Sequence, residues 1–123
     1  MDVFKLANHK YAQCRMFREY RLIHGELHIT WGFLSYNTRV IIVRGSRVIF
    51  TGYYSRTTSK QMTWFLNEYG DNIEGLTSET LKIMNRDGLA YDFVTGELTP
   101  LTGDEFREIH GERARAFNYG YGW

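Results

Sequence analysis

Cysteine occurs once in the 123 residues, at Cys14, so no intrachain disulfide can form. A lone thiol fits a reducing compartment, and a cytoplasmic setting is expected. Proline also occurs once, at Pro100, which argues against a long disordered linker. No apolar run approaches the length of a membrane span, and the opening stretch MDVFKLANHKYAQ has no run of signal-peptide length. There is no Gly-rich phosphate loop, no nucleophile elbow and no Ser-His-Asp ordering. These absences lower the standing of an enzyme without excluding one. No cofactor, no metal and no membrane contact is expected.

What the chain has is aromatic side chains, 9 Tyr, 8 Phe and 3 Trp, which serve cores and binding faces alike. Its net charge of +1 hides an uneven layout. Residues 1–70 hold ten basic and four acidic side chains, whereas residues 71–112 hold three basic and ten acidic. Such a split points to pairing between the halves, to self-association or to a charged partner.

One domain is expected at this length, with an aromatic tail over about 117–123. The stretch TRVIIVRGSRVIFTGYY places Gly45-Ser46 between two apolar runs, the pattern of a two-residue type II′ hairpin. That turn sets Arg44 opposite Arg47, Val43 opposite Val48 and Ile42 opposite Ile49. Apolar residues on both faces predict an inner hairpin, with the two arginines projecting together at its tip. Alternation of Leu27, Ile29 and Trp31 with His28 and Thr30 adds a strand, giving a three-stranded antiparallel meander from about Glu26 to Tyr54.

Helical spacing of Ala7, Tyr11, Cys14 and Phe17 predicts an N-terminal helix. Met62, Phe65, Leu66 and Tyr69 predict a second, stopped by Gly70. Thr77 as N-cap, Leu81 and Met84 facing inward, and Gly88 as stop predict a third. LAYDFVTGELT reads as a short strand or small hairpin turning at Thr95-Gly96. A capping box of Thr102 with Glu105 opens the last helix, with Phe106, Ile109 and Phe117 on its inner side. The fold class is α+β, one antiparallel sheet packed by three to four helices.

Candidate chemistry gathers in YYSRTTSK. Thr58 with Gln61 forms a capping box, which accounts for one threonine without a ligand. It does not account for Arg56 and Lys60, because a helix N-terminus favours acids rather than cations. Arg56, Thr57, Thr58, Ser59 and Lys60, with Arg44 and Arg47, therefore form a candidate anion or nucleic-acid site. Pairing of these cations with the acidic half is the alternative. HGELH offers His24, Glu26 and His28 as metal donors if all three share a strand face, though a solvated face explains them equally well. Asp104, Glu105 and Glu108 sit where the helix dipole favours acids, which explains them without catalysis. Cys14 falls on an apolar stripe and reads as a buried thiol, although nearby arginines could lower its pKa. No catalytic residue is assigned. In AFNYGYGW, an extended chain puts Phe117, Tyr119, Tyr121 and Trp123 on one face. Tyr119, Tyr121 and Trp123 are candidate partner anchors, with docking on the chain's own surface as the alternative.

The stretch from Ser35 to Leu66, SYNTRVIIV…GYYSRTTSKQMTWFL, resembles a family of small uncharacterised proteins of bacteriophages and mobile elements. The shared pattern is a Ser-Tyr-x-Thr strand, a hairpin, and a Tyr-Ser-x-Thr-Thr-Ser-Lys/Arg-His segment. This chain has Gln61 where that pattern often has His. The resemblance implies a phage or mobile-element origin and no established activity. The expected function is an accessory protein that binds a host protein, concretely an anti-defence inhibitor of the anti-CRISPR kind. A nucleic-acid-binding module is the alternative, a small metal-dependent enzyme the second, and a homo-oligomer is compatible with each.

Overall fold

The computed structural model describes residues 2–5, 14–35, 37–52, 62, 65, 73 and 75–118. Within them seven strands form one antiparallel sheet in which each strand pairs with its sequence neighbours. The strands are β1 (Asp2–Lys5), β2 (Cys14–Ile23), β3 (Glu26–Ser35), β4 (Thr38–Arg44), β5 (Arg47–Phe50), β6 (Leu89–Asp92) and β7 (Glu97–Pro100). Among the described residues two helices are delimited, α1 (Ser78–Asp87) and α2 (Gly103–Asn118), where three to four are expected from the sequence.

The predicted meander is β3, β4 and β5, and its tip has the expected register: Arg44 faces Arg47, Val43 faces Val48 and Ile42 faces Ile49. Gly45 takes φ +62° while Ser46 stays out of the left-handed region, as a type II′ turn requires. The sheet exceeds the expected three strands in both directions. The predicted N-terminal helix does not form over its second half, because residues from Cys14 onward are β2. Met16, Tyr20 and Leu22 alternate along that strand, and its ten residues pair with β3 from Cys14↔Ser35 to Ile23↔Glu26. Ten ladder pairs outweigh a helical stripe of four residues, of which only Cys14 and Phe17 lie in the described region.

The turn between β2 and β3 uses His24 at φ +51° and Gly25 at φ +80°. Both central residues are left-handed, which is the type I′ hairpin geometry. His24 therefore sits in a turn, not on a strand face beside Glu26 and His28, and the HGELH constellation does not assemble.

Helix α1 matches its sequence signals. Thr77 accepts a hydrogen bond from the Thr80 N–H at 3.2 Å, Leu81 and Met84 are buried, and Gly88 closes the helix at φ 66°. The small hairpin is β6 and β7, with Gly96 in its turn at φ 75°. At α2 the capping box forms: Glu105 Oε1 accepts from the Thr102 N–H at 2.8 Å, and Thr102 Oγ1 accepts from the Glu105 N–H at 3.2 Å. Ile109 is buried as expected, but Phe106 is 44% exposed, and the side chain of Phe117 lies outside the described residues. Met62 and Phe65 are helical and buried; the rest of the helix expected up to Gly70 lies outside the described residues.

The middle of the sheet is covered on both sides. On one face Phe33, Ile41, Val43, Val48 and Tyr91 pack with Met62, Phe65, Ile73, Leu81 and Met84, and the Phe33 and Phe65 rings stack at 5.1 Å. On the other, Phe17, Leu34, Ile42 and Ile49 meet Ile109 of α2.

Candidate protein-binding surface

The two arginines of the β4–β5 tip are joined to α2. Arg44 donates to both carboxylate oxygens of Glu108, at 2.7 and 3.0 Å, and to Thr30 Oγ1 at 3.1 Å. Arg47 donates to both oxygens of Glu105, at 2.7 and 2.9 Å, and further to Thr99 Oγ1 and the Pro100 carbonyl. These bidentate, charge-assisted bonds are the strong kind. Hydrogen bonding to Glu108 and to Glu105 raises the two guanidinium pKa values above their ordinary level. Burial alone would raise the Glu105 carboxyl, but bonds from Arg47 and the Thr102 N–H outweigh it and hold the carboxyl below its usual range. Glu105 thus caps α2 and clamps the hairpin with the same two oxygens.

A third tie lies where β4 carries a bulge. Phe33 faces Ile41 and Leu34 faces Arg39, so Val40 is extra. Glu112 of α2 accepts the Arg39 N–H at 2.9 Å, and Arg39 also bonds Glu19 on β2. Burial pushes the Glu112 carboxyl above its ordinary value despite that amide bond. At Arg39, Arg44 and Arg47, the basic and acidic halves therefore pair within one chain. Arg56, Thr57, Thr58, Ser59 and Lys60, and the tail residues Tyr119, Tyr121 and Trp123, lie outside the described residues.

A different surface emerges at the other hairpin. β1 pairs with β2 only as far as Asp2↔Arg18, and β4 pairs with β3 only as far as Thr30↔Arg44. Past these points β2 and β3 continue together from Tyr20↔Ile29 to Ile23↔Glu26. Four pairs make a two-stranded arm of roughly 13 Å. Cross-strand partners share a face, so Tyr20, Leu22, Leu27 and Ile29 line one side of the arm while Arg21, Glu26 and His28 belong to the other.

The apolar side is bare. Leu22 is 74% exposed, Leu27 62%, Tyr20 47% and Ile29 44%. It runs without a break into Phe4 of β1 and Trp31 of β3, forming a shallow concavity of about 500 Å³. Arg18 lies over the Phe4 and Tyr20 rings at 4.9 and 5.2 Å, so its charge sits on the aromatic faces. The same face of the sheet is fully covered two strands further on, beyond Phe33.

Sequence reasoning missed this surface. Its signals were the alternation of Met16, Tyr20 and Leu22 and the His24-Gly25 turn. Among the described residues no cluster of three or more His, Cys, Asp or Glu side chains could hold a metal ion, and no helix is long and apolar enough to cross a membrane.

No curated protein and no solved structure matches the chain. A family model does match, over residues 7–82, which hold all of β2 to β5 and so both hairpins, while α2 lies beyond the match. The chain belongs to that family, a family of unknown function (DUF8033).

Proposed function

We propose that the chain acts by binding another protein through the bare apolar face of β1, β2 and β3. The observation that carries this reading is the one-sided arm. Two cross-strand apolar pairs, Tyr20 with Ile29 and Leu22 with Leu27, stand exposed on a ribbon that no third strand among the described residues supports. A contiguous exposed apolar face on a soluble domain marks an interaction site, and a lone two-stranded ribbon gains stability when something covers it. The face suits a protein rather than a nucleic acid. Arg18 is the one cation among the described residues lining its concavity, and Asp2 lies opposite Arg18 in the register. The arginines that a nucleic-acid reading would use first, Arg44 and Arg47, already hold Glu108 and Glu105.

In the setting the Ser35–Leu66 resemblance implies, the partner is a host protein and the outcome is inhibition of a defence system. The test is capture from nuclease-treated host lysate with the wild-type chain and with a Leu22→Lys/Leu27→Glu variant. A stoichiometric protein held by the wild type and released by the variant is expected. Recovery of nucleic acid alone, lost as salt rises, would replace this reading with the nucleic-acid one.

A further inference from the structure

On the opposite side of the sheet, an open polar groove of about 560 Å³ runs between the sheet and α2. Arg21, His28 and Arg44 line it from the strands, and Arg107, Gly111 and Arg115 from the helix. The groove-facing positions of α2 recur at helical spacing: Asp104, Arg107, Glu108, Gly111, Glu112 and Arg115. All are charged except Gly111.

A glycine in the middle of a 16-residue helix is unfavourable, since only proline suits a helix interior less. Such a glycine is usually explained by a neighbour that leaves no room for a side chain. Among the described residues there is no such neighbour: a Cβ at Gly111 would meet none of them within 4 Å, and the helix geometry requires no left-handed φ there. Folding alone does not call for glycine at this position. What glycine does provide is a stretch of bare helix backbone in the groove wall, open to close approach.

The charges supply the second half of the argument. Five arginines line the groove (the four sheet and helix arginines above and Arg39) against three carboxylates. Asp104 is taken by Arg107, and Glu108 by Arg44. Glu112 is shared between Arg39 and Arg115 at 3.7 and 3.6 Å, too long for a direct hydrogen bond to either guanidinium. Arg21 is exposed and, among the described residues, has no ion-pair partner. Glu19 on β2 also holds Arg39, so the surplus is one positive charge, on Arg21, whose guanidinium donors suit an oxyanion.

We propose that this groove binds a small molecule bearing an anionic group, a phosphate ester or a pair of carboxylates, which packs against the bare backbone at Gly111 and is held by Arg21 and Arg115. The site lies on the other side of the sheet from the apolar face and does not depend on it.

The test is amide chemical-shift titration of the whole chain with phenyl phosphate and, separately, with succinate. Saturable shifts centred on Gly111 and Arg21 are expected with at least one probe, and which probe binds tells the phosphate source from the dicarboxylate one. Arg21→Gln should weaken binding by about tenfold with no change in melting temperature, since Arg21 has no ion-pair partner among the described residues. Gly111→Ala should raise the melting temperature by about 4 °C yet abolish the titration. A variant that is more stable and no longer binds cannot be explained by misfolding. Absence of saturable shifts with both probes would overturn the proposal, as would Gly111→Ala binding as tightly as the wild type. Leu22→Lys/Leu27→Glu should leave the titration unchanged, so failure of the protein-binding reading and failure of this one are separable.

Discussion

Two hairpins of this sheet are built alike and finished differently. Both close with two-residue turns, Gly45-Ser46 in one and His24-Gly25 in the other, and both put side chains on two faces. The β4–β5 hairpin is covered on both faces, and its tip is bonded to α2 through Glu105 and Glu108. The β2–β3 hairpin outruns its neighbours and keeps an apolar face in solvent. Cross-strand pairing is sufficient for each to form within the sheet, so the difference lies in what lies against them. One hairpin belongs to the core and the other is available for contact.

The comparison can be broken most severely at β3, the strand that belongs to one hairpin and pairs with β4 of the other. A Cβ at Gly32 of β3 would lie 1.8 Å from the Ile41 carbonyl oxygen. Gly32→Ala is expected to cost at least ~3 kcal/mol and disorder both hairpins, read from urea denaturation. An unchanged midpoint would mean the strands are spaced differently.

Cutting the tie at the covered tip comes next. Arg47→Met leaves Glu105 buried without its partner and should destabilise by ~3 kcal/mol. Arg44→Met should cost less, ~1 kcal/mol, because that pair is more exposed and solvent screens it. Equal losses at the two positions would contradict the clamp as described.

Acid titration sharpens the same contrast. Glu105 has a folded pKa below its ordinary 4.5, so its contribution is full above that value and is lost as pH falls through the lowered one. Glu112 is raised above 4.5, so it opposes folding at neutral pH, and that penalty is relieved as pH falls from its raised pKa towards 4.5. Urea midpoints should therefore hold or rise slightly on mild acidification and then drop. Glu105→Gln should flatten the drop and Glu112→Gln the rise; the opposite assignment would reverse the roles given to the two carboxylates.

The smallest expected effect is at the bare arm. Leu22→Thr should change stability by less than ~0.5 kcal/mol, because that side chain is exposed. A loss of more than 1 kcal/mol would show that something within the chain covers the arm in solution.

How much was legible in the sequence follows from how local each signal is. The Gly45-Ser46 turn set the register of four pairs, because a two-residue turn leaves no freedom in the pairing. Thr77 with Gly88, and Thr102 with Glu105, marked two helices, since caps act within a single turn of chain. β2 was misread because its apolar residues also fit a short helical stripe, and because histidine is a less obvious left-handed turn residue than asparagine or glycine. The partners of Arg44 and Arg47 were beyond reach for another reason. Glu108 and Glu105 lie 64 and 58 residues away, and only the three-dimensional course of the chain brings them together. The uneven charge layout showed that pairing had to be considered, not which residues pair. The groove at Gly111 was equally invisible, since a lone glycine in a charged helix carries no local pattern.

The order of the sheet has a consequence for how quickly the molecule forms and comes apart. Every strand pairs with its neighbour in the chain, so apart from the long connection between Phe50 and Leu89 the sheet can assemble from short loop closures. The ties to α2 close loops of about sixty residues, which is entropically the slower step. Contacts made after the folding barrier has been crossed govern how fast the native state is lost rather than how fast it is reached. Glu105 and Glu108 then act as a latch on lifetime: weakening them should quicken unfolding while refolding keeps its pace.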